Sequence, residues 1–227
     1  QGAARVAKAA AEAGAQSFVQ ISAIGADAQG PSDYARTKAA GEKAVLDAFP
    51  GAVILRPSVI FGMEDEFFNR FAAMARMSPV LPITGGTSKF QPVYVGDVAE
   101  AVARSVDGTL TPGAIYELGG PRVMSFKDVL EDILEITRRK RVLLPLPWGL
   151  ASLIGKIATF IPFIDPPLTE DQVTLLRSDN VVSAEAKTEK RTLADIGIAP
   201  TNVETILPTY LSRYRPHGQY SGTGNEA

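Results

Sequence analysis

Tyr34 and Lys38 stand at either end of the run Tyr34-Ala35-Arg36-Thr37-Lys38. That i, i+4 spacing puts a phenol and an ammonium on one face of a helix. A lysine cation beside the hydroxyl favours the phenolate, lowers the tyrosine pKa and makes the group a better proton donor or acceptor. Ser22 ends a β-like run upstream, where its hydroxyl can reach the same pocket. A Tyr-x-x-x-Lys pair arises by chance among 6 tyrosines and many lysines, and the plain alternative is a surface pair without a role. The order strand, serine, loop, helix gives the functional reading its weight.

A second feature is Leu55-Arg56-Pro57-Ser58-Val59-Ile60-Phe61-Gly62, a strand running into a proline turn. In an open parallel sheet ligands bind beyond the carboxyl ends of the strands. Arg56, Pro57, Ser58, Val59 and Ile60 are therefore expected to line the crevice that holds Ser22 and Tyr34. A third is Gln91-Pro92-Val93-Tyr94-Val95-Gly96-Asp97, in which Asp97 is expected to cap a helix start and support packing.

These residues need a frame, and the chain supplies one by regular alternation. An Ala-rich helix over 2–13 feeds a strand over 17–21, then a helix over 32–49 and a strand over 52–55. Further helices are expected over 66–77, 96–106 and 125–137, with extended runs at 91–95, 114–118 and 141–146. Strands alternating with helices argue for an α/β fold, a doubly wound parallel sheet covered on both faces. A helix feeding a strand at the very start reads as a βαβ unit cut open. Beyond Pro147 the regularity weakens. Trp148–Ile161 is apolar around most of its circumference, with Ser152, Gly155, Lys156 and Thr159 sharing one face. It is too short for the roughly 20 residues of a membrane span. It reads either as a helix on a membrane surface or in a partner's groove, or as an ordinary core helix of a small lobe. The polar tail 221–227 is expected to be disordered. The expected division is a nucleotide-binding part over 1–147, with some lobe segments interleaved, and a C-terminal lobe over 148–227.

Bulk composition excludes several chemistries. The 227 residues are 45% hydrophobic and 21% charged, the balance of a soluble globular protein. With no cysteine, disulfides, zinc–thiolate sites and cysteine nucleophiles are out. One histidine, His217, rules against a histidine metal cluster or a Ser-His-Asp triad, so no metal is expected. A net charge of −2 gives no reason to expect a nucleic-acid partner. The opening residues have no apolar signal region.

The strand-end serine, the Tyr-x-x-x-Lys helix, the Leu55-Arg56-Pro57 turn and the Val95-Gly96-Asp97-Val98-Ala99 helix, in this order, resemble the extended and atypical short-chain dehydrogenase/reductase family. No G-x-G-x-x-G or G-x-x-G-x-x-G occurs, so the resemblance places the Rossmann-like phosphate loop, and the residue separating NAD from NADP, upstream. Within that family the chain is similar to the nucleotide-binding accessory subunits of respiratory complex I. The run Tyr34 to Lys43, Asp47-Ala48-Phe49-Pro50, Phe61-Gly62 with Glu64-Asp65, Gln91 to Val95, Asp195-Ile196-Gly197-Ile198 and Tyr210 to Pro216 carry that likeness.

The resemblance implies a dinucleotide, NADPH ahead of NADH, held by Ser22, Tyr34, Lys38 and the Arg56–Ile60 turn as a structural element, with no catalytic residue. It implies other complex I subunits as partners, near the quinone site where the peripheral and membrane arms meet. The place would be the cytoplasmic side of a bacterial inner membrane or the matrix side of the mitochondrial one. An Ala-rich chain opening without a basic presequence points to the bacterial case. Basic Arg138-Arg139-Lys140-Arg141 followed by the apolar stretch suits lipid head groups, so residues 138–161 are the expected membrane contact. The same four cations equally suit a helix C-terminus. Two alternatives stay open. One is a free NAD(P)-dependent reductase or epimerase in which Tyr34 is the acid/base, Ser22 orients the carbonyl and Lys38 fixes the ribose. The other is a regulatory dinucleotide binder without chemistry.

Overall fold

A computed structural model describes residues 2–159 and 170–218, for 154–159 and 170 the backbone alone. In chain order its elements are α1 (Gly2–Glu12), β1 (Val19–Ile21), α2 (Asp33–Ala48), β2 (Val53–Pro57), β3 (Ile60–Phe61), α3 (Phe67–Met77), β4 (Val80–Ile83), β5 (Lys89–Phe90), β6 (Val93–Tyr94), α4 (Val95–Val106), β7 (Ile115–Leu118), β8 (Met124–Ser125), α5 (Phe126–Ile136), β9 (Val142–Pro145), α6 (Trp148–Thr159), α7 (Glu170–Leu175), α8 (Ala184–Thr188) and α9 (Val203–Leu211), followed by a 3-10 turn (Ser212–Tyr214). The chain forms two compact units, and it passes back and forth between them. The first holds residues 1–60, 91–121 and 180–201, the second 61–90, 122–179 and 202–227. Residue 147 falls inside the second unit.

The first unit is built on the parallel sheet β1-β2-β7. Side chains alternate faces along a strand. Val53 and Leu55 of β2 therefore point one way, into a cluster with Val98 and Ala101 of α4, Leu118, and the Leu193–Ile198 segment. Ile54 points the other way, against Ala7 of α1 and Val45 of α2. Burial on both faces is why this strand reads as an unbroken apolar run. Helix α2 starts where Ser32 accepts the Ala35 N–H at 3.1 Å, an ordinary N-cap.

Asp97 departs from expectation. Tyr94 holds the N-cap position of α4 with no side-chain cap bond. The Asp97 carboxylate instead accepts the Thr201 N–H at 2.7 Å and the Thr201 hydroxyl at 2.8 Å. It ties a distant return segment to the helix, while its place in the first turn still complements the helix dipole.

The second unit packs α3, α5 and α9 together and carries two short ribbons, parallel β4-β9 and antiparallel β5-β8. Helix α5 opens with a reciprocal capping box. The Ser125 hydroxyl accepts the Asp128 N–H at 3.1 Å, and the Asp128 carboxylate accepts the Ser125 N–H at 2.8 Å. Phe67 meets the rings of Phe68, Phe71, Phe90 and Phe126 at centroid distances of 5.4 to 6.1 Å. Asp65 accepts the Phe68 N–H at 2.6 Å, the Asn69 N–H at 3.2 Å and the Tyr210 hydroxyl at 2.5 Å, so one carboxylate starts α3 and fastens α9. In α6, Ala151 is buried while Leu150 and Leu153 are exposed. Residues 160 and 161 of the expected apolar stretch, and the tail from 219, lie outside the described residues.

Candidate functional site

The carboxyl ends of β1, β2 and β7 lie side by side in the first unit, and the helix that follows β1 brings its side chains to them. The Ser22 N–H donates to the Leu55 carbonyl at 2.7 Å and the Ile24 N–H to the Pro57 carbonyl at 3.0 Å, carrying the pairing past the end of β1. The buried Ser22 hydroxyl donates to the Glu42 carboxylate. Arg56 grips the same carboxylate with two parallel bonds, Nε to Oε1 at 2.8 Å and Nη2 to Oε2 at 2.6 Å. Its Nη1 lies 3.9 Å from the Glu117 carboxylate. The Glu42 hydrogen bonds hold the Arg56 guanidinium above its ordinary pKa against the effect of burial, and Glu117 and Glu185 add to the pull. Glu117 in turn accepts the Ser183 N–H at 2.7 Å, at the start of α8.

Tyr34 and Lys38 lie further out on α2. The phenol is 42% exposed, and the Lys38 ammonium stands over the ring, 5.5 Å from its centroid. The expectation of a lysine-lowered phenol pKa is corrected here: partial burial raises the Tyr34 pKa above its ordinary value.

The Arg56–Ile60 turn has several duties. Pro57 pairs with Leu118, and the Ser58 N–H donates to the Leu118 carbonyl at 2.9 Å. The Ser58 hydroxyl donates to Asn180, to its backbone oxygen at 2.9 Å and its side-chain oxygen at 2.6 Å. The Val59 carbonyl accepts the Val93 N–H at 2.9 Å, and Ile60 packs on the apolar cluster beneath. Gln91 stitches the neighbouring turns, giving its amide N–H to the Gly120 carbonyl at 2.7 Å and accepting the Val182 N–H at 3.0 Å. At Gly120 a β-carbon would stand 1.9 Å from the Pro92 carbonyl oxygen, so the turn after β7 admits glycine alone.

Of the residues expected from sequence, the structure links Ser22 to Arg56 through Glu42, joins Ser58 to Asn180, and puts Tyr34 with Lys38 on the exposed part of α2. Glu42, Glu117, Gln91 and Asn180 were not among the expected site residues. Continuing the helical spacing one turn past Lys38 reaches Glu42. Nothing local marks Asn180, whose partner Ser58 is distant in sequence.

A protein-family model described as RmlD substrate binding domain matches residues 1–148. The chain belongs to that family. Its fold is the Rossmann-like α/β fold of the short-chain dehydrogenase/reductase proteins. One solved structure of similar fold, "MoeE5 in complex with UDP-glucose and NAD", has a TM-score of 0.64 and 18% identity, covering 92% of this chain and 68% of that one. Another is a dTDP-4-dehydrorhamnose reductase from Bacillus anthracis in complex with NADP, with a TM-score of 0.54 and 21% identity over 64% of this chain and 55% of that one. The resemblance to complex I subunits is borne out. The mitochondrial NADH dehydrogenase (ubiquinone) 1 alpha subcomplex subunit 9 of Arabidopsis thaliana is 34% identical over 219 residues, 92% of this chain and 54% of that protein. The chain spans about half the length of the curated relatives it matches. Among the described residues no helix is long and apolar enough to cross a membrane.

Proposed function

We propose that this chain is the dinucleotide-facing part of an accessory, non-catalytic subunit of an NADH:quinone oxidoreductase of the complex I type. The observation that carries the reading is the 34% identity to the Arabidopsis subunit over 92% of the chain, which takes in the return segments as well as the nucleotide-binding half. Site geometry agrees with binding rather than turnover. The Ser22 hydroxyl is committed to Glu42, and the next two residues, Ala23 and Ile24, have none to offer a substrate carbonyl.

The residues fit a nicotinamide dinucleotide, with NADPH ahead of NADH as the family resemblance implies. Tyr34 presents a partly exposed phenol whose proton is held, and Lys38 adds a cation on the same helix face, a pair suited to ribose hydroxyls. Such a cofactor would be able to supply a hydride, and in this reading it would be held as a structural element with that hydride unused. The contribution of this chain is to orient the ribose with Tyr34 and Lys38, while the Arg56–Glu42 pair fixes α2 against the strand ends. The proposed surroundings are other complex I subunits and the membrane surface, approached through residues 138–161. The side is the mitochondrial matrix or the bacterial cytoplasm.

The test is to assay the protein, purified with its native amino-terminal portion, for bound dinucleotide and for reduction of a panel of carbonyl compounds. The expected result is retained NADPH and no turnover. Turnover abolished by Tyr34→Phe would replace this reading with that of a free reductase.

A further inference from the structure

We propose that the exposed face of the β4–β9 ribbon, together with the basic residues gathered at its leading end, docks on the headgroup surface of an anionic phospholipid membrane. The inference rests on the reading above, that the protein works beside a membrane, and it names the surface and the lipid charge.

Register defines the face. Val80 stands beside Val142, Leu81 beside Leu143, Pro82 beside Leu144 and Ile83 beside Pro145. Alternation sends Leu81 and Ile83 inward, where both are buried. Val80, Pro82, Val142 and Leu144 then share the opposite face, on which Val142 is 62% and Leu144 48% exposed. Pro82 is exposed on it as well, and Val80 is half-buried.

Parallel pairing puts the segments that enter the two strands at the same end. Arg76 and Met77 precede β4, and Arg139, Lys140 and Arg141 precede β9. Met77 is 78% exposed. Two carbonyl contacts hold the arginines in place: Arg141 Nε donates to Ala75 at 2.7 Å and Arg139 Nε to Tyr214 at 2.8 Å. Burial lowers the Arg139 pKa, and Arg141 and Arg76 lower it further, a sign that these cations crowd one another. Arg138, beside them, sits at φ +53° at the end of α5, where glycine is the less strained choice. A group of guanidiniums held against mutual repulsion is relieved by a multivalent anion, and phosphate oxygens match their fork geometry. Cations bordering an apolar face make the pattern of a surface that lies in the lipid interface. An acidic protein groove would call for the cations without the flat apolar ribbon.

The probe is flotation of the full-length protein with vesicles of phosphatidylcholine alone and of phosphatidylcholine mixed with phosphatidylglycerol. The expected result is salt-sensitive binding to the mixed vesicles only. Each basic residue near an anionic surface is worth about fivefold in partition, so Arg76→Ser with Lys140→Ser should weaken binding on the order of 25-fold. Val142→Ser with Leu144→Ser should weaken it at least about tenfold and should do so at high salt as well. Both pairs change exposed side chains, and an unchanged melting curve verifies that the fold is kept. Inorganic phosphate, matched in concentration to the lipid, should not compete. Equal binding to both vesicle types, binding that survives both double variants, or displacement by inorganic phosphate alone would overturn the proposal. So would retention by native membranes but by no protein-free vesicle, which would give the face to an acidic protein. Loss of vesicle binding with the protein still co-purifying in an NADH-oxidising assembly would sink the lipid surface and leave the accessory-subunit reading standing. Flotation as proposed without such co-purification would do the reverse.

Discussion

Glu42 is the residue on which the candidate site turns. It receives Ser22 and both prongs of Arg56 in a buried setting, so its removal leaves the half-buried guanidinium without its hydrogen-bonded partner and facing only the more distant Glu117. Glu42→Ala should cost about 3 kcal/mol in urea unfolding, the usual penalty for breaking one side of a buried pair. Lys38→Ala removes only an outlying cation. The expected outcome is a dissociation constant for NADPH raised on the order of tenfold, read by fluorescence titration, with the melting temperature of the ligand-free protein unchanged. Tyr34 itself should titrate above the ordinary tyrosine value in an alkaline absorbance scan, because its phenol is partly buried. A midpoint below that value would restore the lysine-activated tyrosine of an active reductase. The pair Tyr34 and Lys38 was legible in the sequence because helical spacing alone joins them. The pKa direction was not, since it depends on how far the fold buries the phenol.

Individual elements were legible where local chemistry decides them and obscure where distant partners do. The capping residue Ser125 and the extent of α5 follow from an N-cap signal ahead of an amphipathic run, and the structure adds the reciprocal Asp128 bond. Ser125→Ala should destabilise the protein by about 1 kcal/mol. The Asp128 pKa is lowered by the Ser125 N–H and hydroxyl, so its share of stability is present above the unfolded carboxylate pKa and fades as pH falls through the folded value. Tyr210 works in the opposite sense. Burial, the hydrogen bond to Asp65 and that carboxylate's charge all raise its pKa. Its contribution is complete below the ordinary tyrosine value and is lost as pH climbs beyond it. Denaturant midpoints that fall above about pH 10, and a smaller fall in Tyr210→Phe, are the expected results. Asp97 illustrates what sequence hides. Position near a helix start suggested a cap, but the stronger claim on the carboxylate comes from Thr201, which no local pattern could nominate.

At the scale of the molecule, the alternation of strands and helices was enough to identify a parallel sheet buried on both faces, and β2 confirms why. The interleaving of the two units was harder to read, because segments 91–121 and 180–201 rejoin the first unit through partners far away in sequence, such as Asn180 with Ser58. Membership of a larger assembly can be measured directly. Membranes of the source organism, gently solubilised and separated by native electrophoresis, should yield this protein in a band that oxidises NADH and reduces quinone, identified by mass spectrometry. Recovery of the protein only as a small soluble species, with no trace in such a band, would contradict the account.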